Sequence, residues 1–326
     1  LDIYDLYEAL KITMKNIDYS IVIPIFNESE IIPELWRRLS DVLDKLDGSS
    51  EVIFINDGSV DNSFELLKEI SQKNQEVKII NFSRNFGHQC ALSAGIDHAN
   101  GKAVILMDGD LQDSPEAIIS FSRLWQQGYD VVYAIRKNRK EKWLKRLAFK
   151  SFYYIQRKLS GIVTPMDAGI FSLMDRKVIL TLRQMPERNK YLSGLRAYAG
   201  FKQIGVYVER GPRYRGEPKV SVSKLFKLAF DGIFSFSTIP LKMATILGLV
   251  SAIVSFIIGL IGLYVKFVLG QEFLSWAYGL TTTFFMGGVQ LLSLGIIGEY
   301  IGRIYDEVRQ RPYYIINEKI GFEEEN

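Results

Sequence analysis

The amino-acid sequence predicts an α/β fold, with a mostly parallel sheet in its first part and a two-helix membrane anchor near its end. Three observations carry this reading. Short β-branched runs alternate with helical stretches from Tyr19 to Met107. The ends of those runs are rich in Asn, Asp and Glu, and the final third of the chain holds two long segments with no charged side chain. Alternating β and α segments favour parallel pairing, because a parallel pair needs a crossover long enough for a helix.

The elements follow in order. Leu1 to Asn16 reads as a short helical extension rather than a signal peptide, which places the first domain in the cytosol. Ser20 to Pro24 is the first strand, with a helix from about Ser29 to Leu46. Glu51 to Asn56 is the second strand, followed by a helix from about Asp61 to Lys73. Lys78 to Phe82, a helix near His88 to Ala99, and Ala103 to Met107 complete the repeat, and Val131 to Ile135 is a further strand ending at Arg136. Ligands of such sheets gather beyond the carboxyl ends of the strands. Here those ends carry Asn27-Glu28, Asn56-Asp57-Gly58-Ser59 and Asp108-Gly109-Asp110, so several carboxylates converge on one crevice. The single cysteine, Cys90, excludes an internal disulfide and reads as a small buried hydrophobe.

Charge is distributed unevenly over the 326 residues. The net charge of +3 hides about −10 over residues 1–136, about +15 over 137–231 and about −2 over 232–326. In the last part, 23 residues separate Lys242 from Lys266 and 26 separate Glu272 from Glu299. Each stretch is long enough to cross a hydrocarbon core of roughly 30 Å. Lys224, Lys227 and Lys242 precede the first span, while Arg303, Arg309 and Arg311 follow the second, so both ends are expected on the cytoplasmic side of the inner or plasma membrane. Glycines along both spans permit close helix packing, compatible with a homo-oligomer such as a tetramer.

The basic middle contains Leu144, Leu147, Ala148, Phe152, Ile155 and Leu159 at helical spacing among lysines and arginines, and a second stripe from Leu225 to Phe236 leads into the first span. Such helices lie on anionic headgroups. With two spans attached, the expected partner of this charge is the lipid bilayer and not nucleic acid.

Neither a phosphate-cradling Gly-x-x-x-x-Gly-Lys-Ser/Thr loop nor a Gly-x-Gly-x-x-Gly dinucleotide turn is present. Phosphate must be held another way. Asp108, Asp110 and Gln112, at alternating positions after an apolar strand, offer hard oxygen ligands for Mg²⁺ or Mn²⁺, which would bridge a diphosphate.

Four motifs in order carry a family resemblance: Ile21-Val22-Ile23-Pro24-Ile25-Phe26-Asn27-Glu28; Asn56-Asp57-Gly58-Ser59 with Asp61; Ser83-Arg84-Asn85-Phe86-Gly87-His88-Gln89; and Met107 to Glu116. They resemble those of the family 2 inverting glycosyltransferases of GT-A fold, and more narrowly the polyisoprenyl-phosphate glycosyltransferases. That subgroup includes dolichol-phosphate mannose synthases and bactoprenol glucosyltransferases, and the likeness runs from about Asp18 to Pro312. It implies a Rossmann-like nucleotide-sugar domain in which Pro24, Phe26, Glu28, Asp57 and Asp108 line the donor pocket. It also implies that Asp108, Asp110 and Gln112 hold the metal. Arg136 resembles an arginine that meets phosphate, Asp167 lies where the family places an acidic residue near the reacting sugar, and Arg215 and Lys219 lie in what resembles a mobile basic loop that approaches the acceptor phosphate. Val220 departs from the aromatic residue common there. Arg84, Asn85 and His88 either brace the strand end or touch ligand.

On this reading the chain divides into an extension (1–17), a cytosolic GT-A catalytic domain (18–220), an interfacial amphipathic helix (221–240), two transmembrane helices (241–304) and a cytoplasmic tail (305–326). The donor is a nucleotide-sugar, UDP-glucose ahead of GDP-mannose, and the acceptor is a polyprenyl phosphate such as undecaprenyl phosphate. The Gln-x-x-Arg-Trp signature of processive polysaccharide synthases does not occur. Nucleotidyl transfer and a membrane-tethered nucleotide-sugar sensor or scaffold stay open as other classes.

Overall fold

A computed structural model of the chain describes residues 17–137, 168–185, 187, 190–209, 239–268 and 276–322. They fall into two units: an α/β unit that also takes in residues 311–322, and a helical unit ending at Gln310.

In the α/β unit, β1 (Tyr19–Ile25), β2 (Ser50–Asn56), β3 (Val77–Phe82) and β4 (Ala103–Leu106) alternate with α1 (Ile32–Leu43), α2 (Ser63–Lys73) and α3 (His88–His98). β1 pairs in parallel with β2 and β4, and β2 with β3. Both faces of β1 are buried, as a central strand between helical layers requires. Ile21, Ile23 and Ile25 join Leu35, Leu39 and Val42 of α1 in the main core. On the other face, a Cβ at Gly95 of α3 would collide with Val22, so glycine there lets the helix lie close on the sheet. The expected start of α1 near Ser29 moves to Ile32, where Pro33 occupies the first turn and its missing N–H costs nothing.

Later elements complete the sheet. These are α4 (Ala117–Gln126), β5 (Val131–Lys137), β6 (Ala168–Asp175), α5 (Arg176–Arg183), α6 (Leu192–Tyr198), β7 (Gln203–Glu209) and β8 (Ile316–Ile320). The strand order is β7-β5-β6-β4-β1-β2-β3-β8. β6 runs antiparallel between β4 and β5, β7 pairs in parallel with β5, and β8 pairs antiparallel with β3. The sheet is therefore mixed. β4 and β5 point the same way, so both end on the edge where β1 and β2 end, and β6 starts there.

The opposite edge is closed by a buried carboxylate. Glu51, 1% exposed, accepts from Ser20 Oγ at 2.5 Å and from the Asn100 N–H at 2.7 Å, and pairs with Lys78 Nζ at 2.6 Å. These bonds satisfy the buried Glu51 carboxylate within the fold, which marks its role as structural.

The helical unit holds α7 (Ile239–Val268) and α8 (Trp276–Val308), which meet each other where the Ser255 hydroxyl reaches Met286 Sδ. Leu249, Phe256, Phe284 and Leu291 are 63%, 68%, 72% and 72% exposed. Helices this long with apolar side chains turned outward are suited to lipid and not to a soluble core. The expected amphipathic stripes at 144–159 and 225–236 and the extension 1–16 lie outside the described residues.

Candidate active site

The crevice is built where β1, β2, β3 and β4 end. Asn27, immediately after β1, has a left-handed backbone (φ 53°), which turns the chain sharply toward α1. Asparagine tolerates that region better than most residues because its side chain bonds locally. Here its Oδ1 accepts from the Val60 N–H at 2.9 Å while its own N–H donates to Ser59 Oγ. The Glu28 N–H donates to Ser63 Oγ and the Ser29 N–H to Asp61, so the loops after β1 and β2 are joined rung by rung. Pro24 is buried within β1, and Phe26 stands at 36% exposure beside Glu28.

Asp57 is 3% exposed, and its carboxylate accepts from the N–H groups of Phe86 (2.7 Å) and Gly87 (3.0 Å). Burial raises its pKa, against the opposing pull of those two N–H donors. The side chain thus ties the loop after β3 to the end of β2. Gly58 is required beside it: its φ is +66°, and a Cβ would meet the Arg84 and Asn85 backbone at 2.5 Å.

β4 ends opposite Val22, three residues before β1 does, so Met107 to Asp110 runs alongside the last part of β1. A Cβ at Gly109 would meet Ile25 Cδ1 at 2.7 Å and the Pro24 carbonyl at 3.1 Å. This close approach sets Asp108 and Asp110 against the strand end. His88, the first residue of α3, lies 2.8 Å from Asp108 Oδ1 through Nε2. Burial works to lower the His88 pKa, but the hydrogen bond and charge of Asp108 outweigh it and the net direction is upward. Asp110 is 8% exposed and accepts from the Gln112 N–H at 3.1 Å; Leu111 between them has φ +56°, an unfavourable region for leucine, with its side chain buried. Beyond them Arg38 of α1 pairs with Glu116 at 2.6 Å and also reaches Ser114.

Among the described residues, no group of three His, Cys, Asp or Glu side chains is placed to hold a metal unaided. Mg²⁺ is commonly held by one or two carboxylates together with substrate phosphates. Asp108 and Asp110, adjacent to an open strand-end crevice, fit that donor set.

Pro24, Phe26, Glu28, Asp57, Asp108, Asp110 and Gln112 therefore come together on one edge of the sheet. The backbone of Arg136 lies at the end of β5 on the same edge, opposite Val208 of β7. Asp167, Arg215 and Lys219 lie outside the described residues, as does Val220. Sequence reasoning left His88 undecided and did not foresee the Arg38–Glu116 pair. A basic residue on α1 and an acidic one just before α4 carry no joint signal until the fold brings them together.

Comparison with known proteins identifies the family. Residues 20–183 match the family description "Glycosyl transferase family 2". The chain is 44% identical over 308 residues to an uncharacterized glycosyltransferase of Synechocystis sp., covering 94% of this chain and 97% of that protein. It is 43% identical to the uncharacterized glycosyltransferase YkcC of Bacillus subtilis, over 95% and 96% of the two chains. Similarity to the bactoprenol glucosyl transferase of Shigella phage SfV is 39% over 302 residues, or 92% and 98%. Among solved structures, glucosyl-3-phosphoglycerate synthase from Mycobacterium tuberculosis aligns with a TM-score of 0.46 and 15% identity, over 72% of this chain and 82% of that one.

Proposed function

The chain belongs to glycosyl transferase family 2, and from that premise we propose that it transfers glucose from UDP-glucose to undecaprenyl phosphate, with inversion, at the cytoplasmic face of the membrane. The observation that carries this reading is the convergence of Asp57, His88, Asp108 and Asp110 on the strand ends of a chain that also carries two outward-facing apolar helices. Full-length similarity to phage bactoprenol glucosyl transferases supports glucose as the sugar and a polyprenyl phosphate as the acceptor.

The chemistry needs little from a protein base. A phosphate monoester has a second pKa of about 6 and is largely dianionic at neutral pH, so the acceptor oxygen is already a nucleophile. It attacks the anomeric carbon from the face opposite the nucleotide diphosphate, through an oxocarbenium-like state, and the diphosphate leaves. Pro24, Phe26 and Glu28 line the pocket for base and ribose, while Asp57 keeps its floor ordered. Asp108, Asp110 and Gln112 would hold Mg²⁺ or Mn²⁺, which would supply Lewis-acid neutralisation of the leaving diphosphate. Arg136, Arg215 and Lys219 bind the acceptor phosphate and offset the repulsion between two anionic substrates. Asp167 orients the sugar or acceptor. Topology supports this grouping: β5 ends at Lys137, β6 starts at Ala168 and β7 ends at Glu209, all on the edge that carries Asp108 and Asp110.

A donor panel tests the reading. Purified full-length chain in detergent is given undecaprenyl phosphate and, in turn, UDP-glucose, UDP-galactose or GDP-mannose labelled in the sugar. Lipid-extractable label from UDP-glucose, with no nucleotide in the lipid, is expected. Label from GDP-mannose alone would replace the sugar assignment, and binding without lipid label from any donor would reject transfer altogether.

A further inference from the structure

Shortly beyond α8 the chain does something a simple membrane tail does not. Residues 311–322 rejoin the α/β unit, and β8 closes the outer edge of β3 in antiparallel register from Ile79↔Ile320 to Phe82↔Ile316. Just before β8, the Ile315 carbonyl accepts from the Ser83 N–H at 3.0 Å, the first backbone group past the end of β3. Tyr314 stacks on Phe82 with ring centroids 5.2 Å apart and planes 15° apart. Phe82 in turn meets Phe86 edge-on at 5.6 Å. The Tyr314 hydroxyl donates to Asp97 of α3 at 2.9 Å, and Tyr313 bonds the Cys90 thiol nearer the start of the same helix.

This series of contacts ends in the crevice. Phe86 and Gly87 are the residues whose N–H groups Asp57 holds, and the next residue, His88, holds Asp108. The loop from Ser83 to His88 is therefore fixed on one side by Asp57 and on the other by Phe82, whose ring lies between Phe86 and Tyr314. We propose that the segment Tyr313–Ile320 is a positioning element of the donor pocket, with the Tyr314 ring setting the Ser83–His88 loop through Phe82 and Phe86. The part of the chain that returns from the second long helix thus helps build the site that the first four strands define. This rests on the reading of that crevice as the nucleotide-sugar pocket.

The test uses full-length protein in detergent and compares Tyr314→Ala and Tyr314→Phe with the parent chain. Backbone hydrogen exchange without any ligand is read over residues 83–88 and, as control, over β1 and β2. Tyr314→Ala is expected to speed exchange at 83–88 while leaving β1 and β2 protected, and to raise the KM for the nucleotide-sugar about two- to tenfold, the range of an aromatic pair, with the acceptor KM unchanged. Tyr314→Phe keeps the ring and loses only the bond to Asp97, so it is expected to match the parent at 83–88. Unchanged exchange at 83–88 in Tyr314→Ala, or loss of protection spread evenly over the unit, would overturn the proposal, since a purely stabilising strand acts everywhere at once. Failure of the donor reading shows in the parent chain alone, as absence of nucleotide-sugar use, whereas failure here shows only in the comparison of variants.

Discussion

Gly87 lies in the loop that Asp57 holds and Gly58 in the loop that faces it, and both have positive φ, +99° and +66°. Their surroundings differ. A Cβ at Gly58 would meet the Arg84 and Asn85 backbone at 2.5 Å, while a Cβ at Gly87 would meet nothing within 4 Å. Gly87→Ala should therefore carry only backbone strain, of about 1–3 kcal/mol, and Gly58→Ala that strain plus the displacement of the opposing backbone. Thermal unfolding is expected to rank Gly58→Ala as the more destabilised; equal melting temperatures would show that the two loops do not approach as described. Asp57 belongs to the same contact. Its removal leaves two part-buried N–H groups without their acceptor, a cost of about 1 kcal/mol or more, so Asp57→Ala is expected to weaken the loop even before donor is considered.

At the scale of elements, α1 and the start of α4 are joined by Arg38 and Glu116. The guanidinium holds the Glu116 carboxyl down at about 2 from an ordinary 4.5. A depressed carboxylate contributes stability that is present above its ordinary value and is lost as pH falls through the folded value. Wild-type stability attributable to this pair should therefore decline between pH 4.5 and about 2, and Arg38→Ala should flatten that part of the profile. Side-chain exposures of 26% and 49% mean that salt screens the pair, so the difference is expected to shrink at high ionic strength. A profile identical in the variant would show that the pair does not form in solution.

The same scale explains what was legible in sequence. β1 to β4 and the helices between them are readable because the strands are continuous β-branched runs next to Gly, Asn or Asp and α1 and α2 are amphipathic, while α3 is a run of small and apolar residues. The acidic strand ends were readable for the same reason. β6 was not foreseen: Ala168–Asp175 mixes Gly, Ser and Asp with its apolar residues, and its place between β4 and β5 depends on pairing partners far away in the chain. β8 lies within the expected tail because Ile316–Ile320 is three-fifths polar, as an edge strand with one open side can be, and so carries no strand pattern of its own. His88 illustrates the limit at the site itself. Its type was visible, but its hydrogen bond to Asp108 depends on where α3 starts relative to the end of β4.

For the whole molecule, the acidic α/β part, the basic middle and the nearly neutral apolar helices sum to +3 and conceal their separate roles. The outward apolar faces of α7 and α8 support a membrane anchor. With both ends cytoplasmic, as proposed, a cysteine placed by Gln271→Cys between the helices should react with an impermeant maleimide on intact cells. One placed by Asn317→Cys on exposed β8 should react only after permeabilisation, and the reverse pattern would invert the topology. The most direct measurement is transfer of labelled glucose from UDP-glucose to undecaprenyl phosphate by the full-length chain and by Asp110→Asn, with folding of both checked by thermal unfolding. Lipid-linked glucose from the parent and its loss by a factor of about a hundred or more in the folded variant, the scale of removing a principal electrostatic contact in a site of this kind, is the expected result; equal turnover by the two would contradict a site built on Asp110.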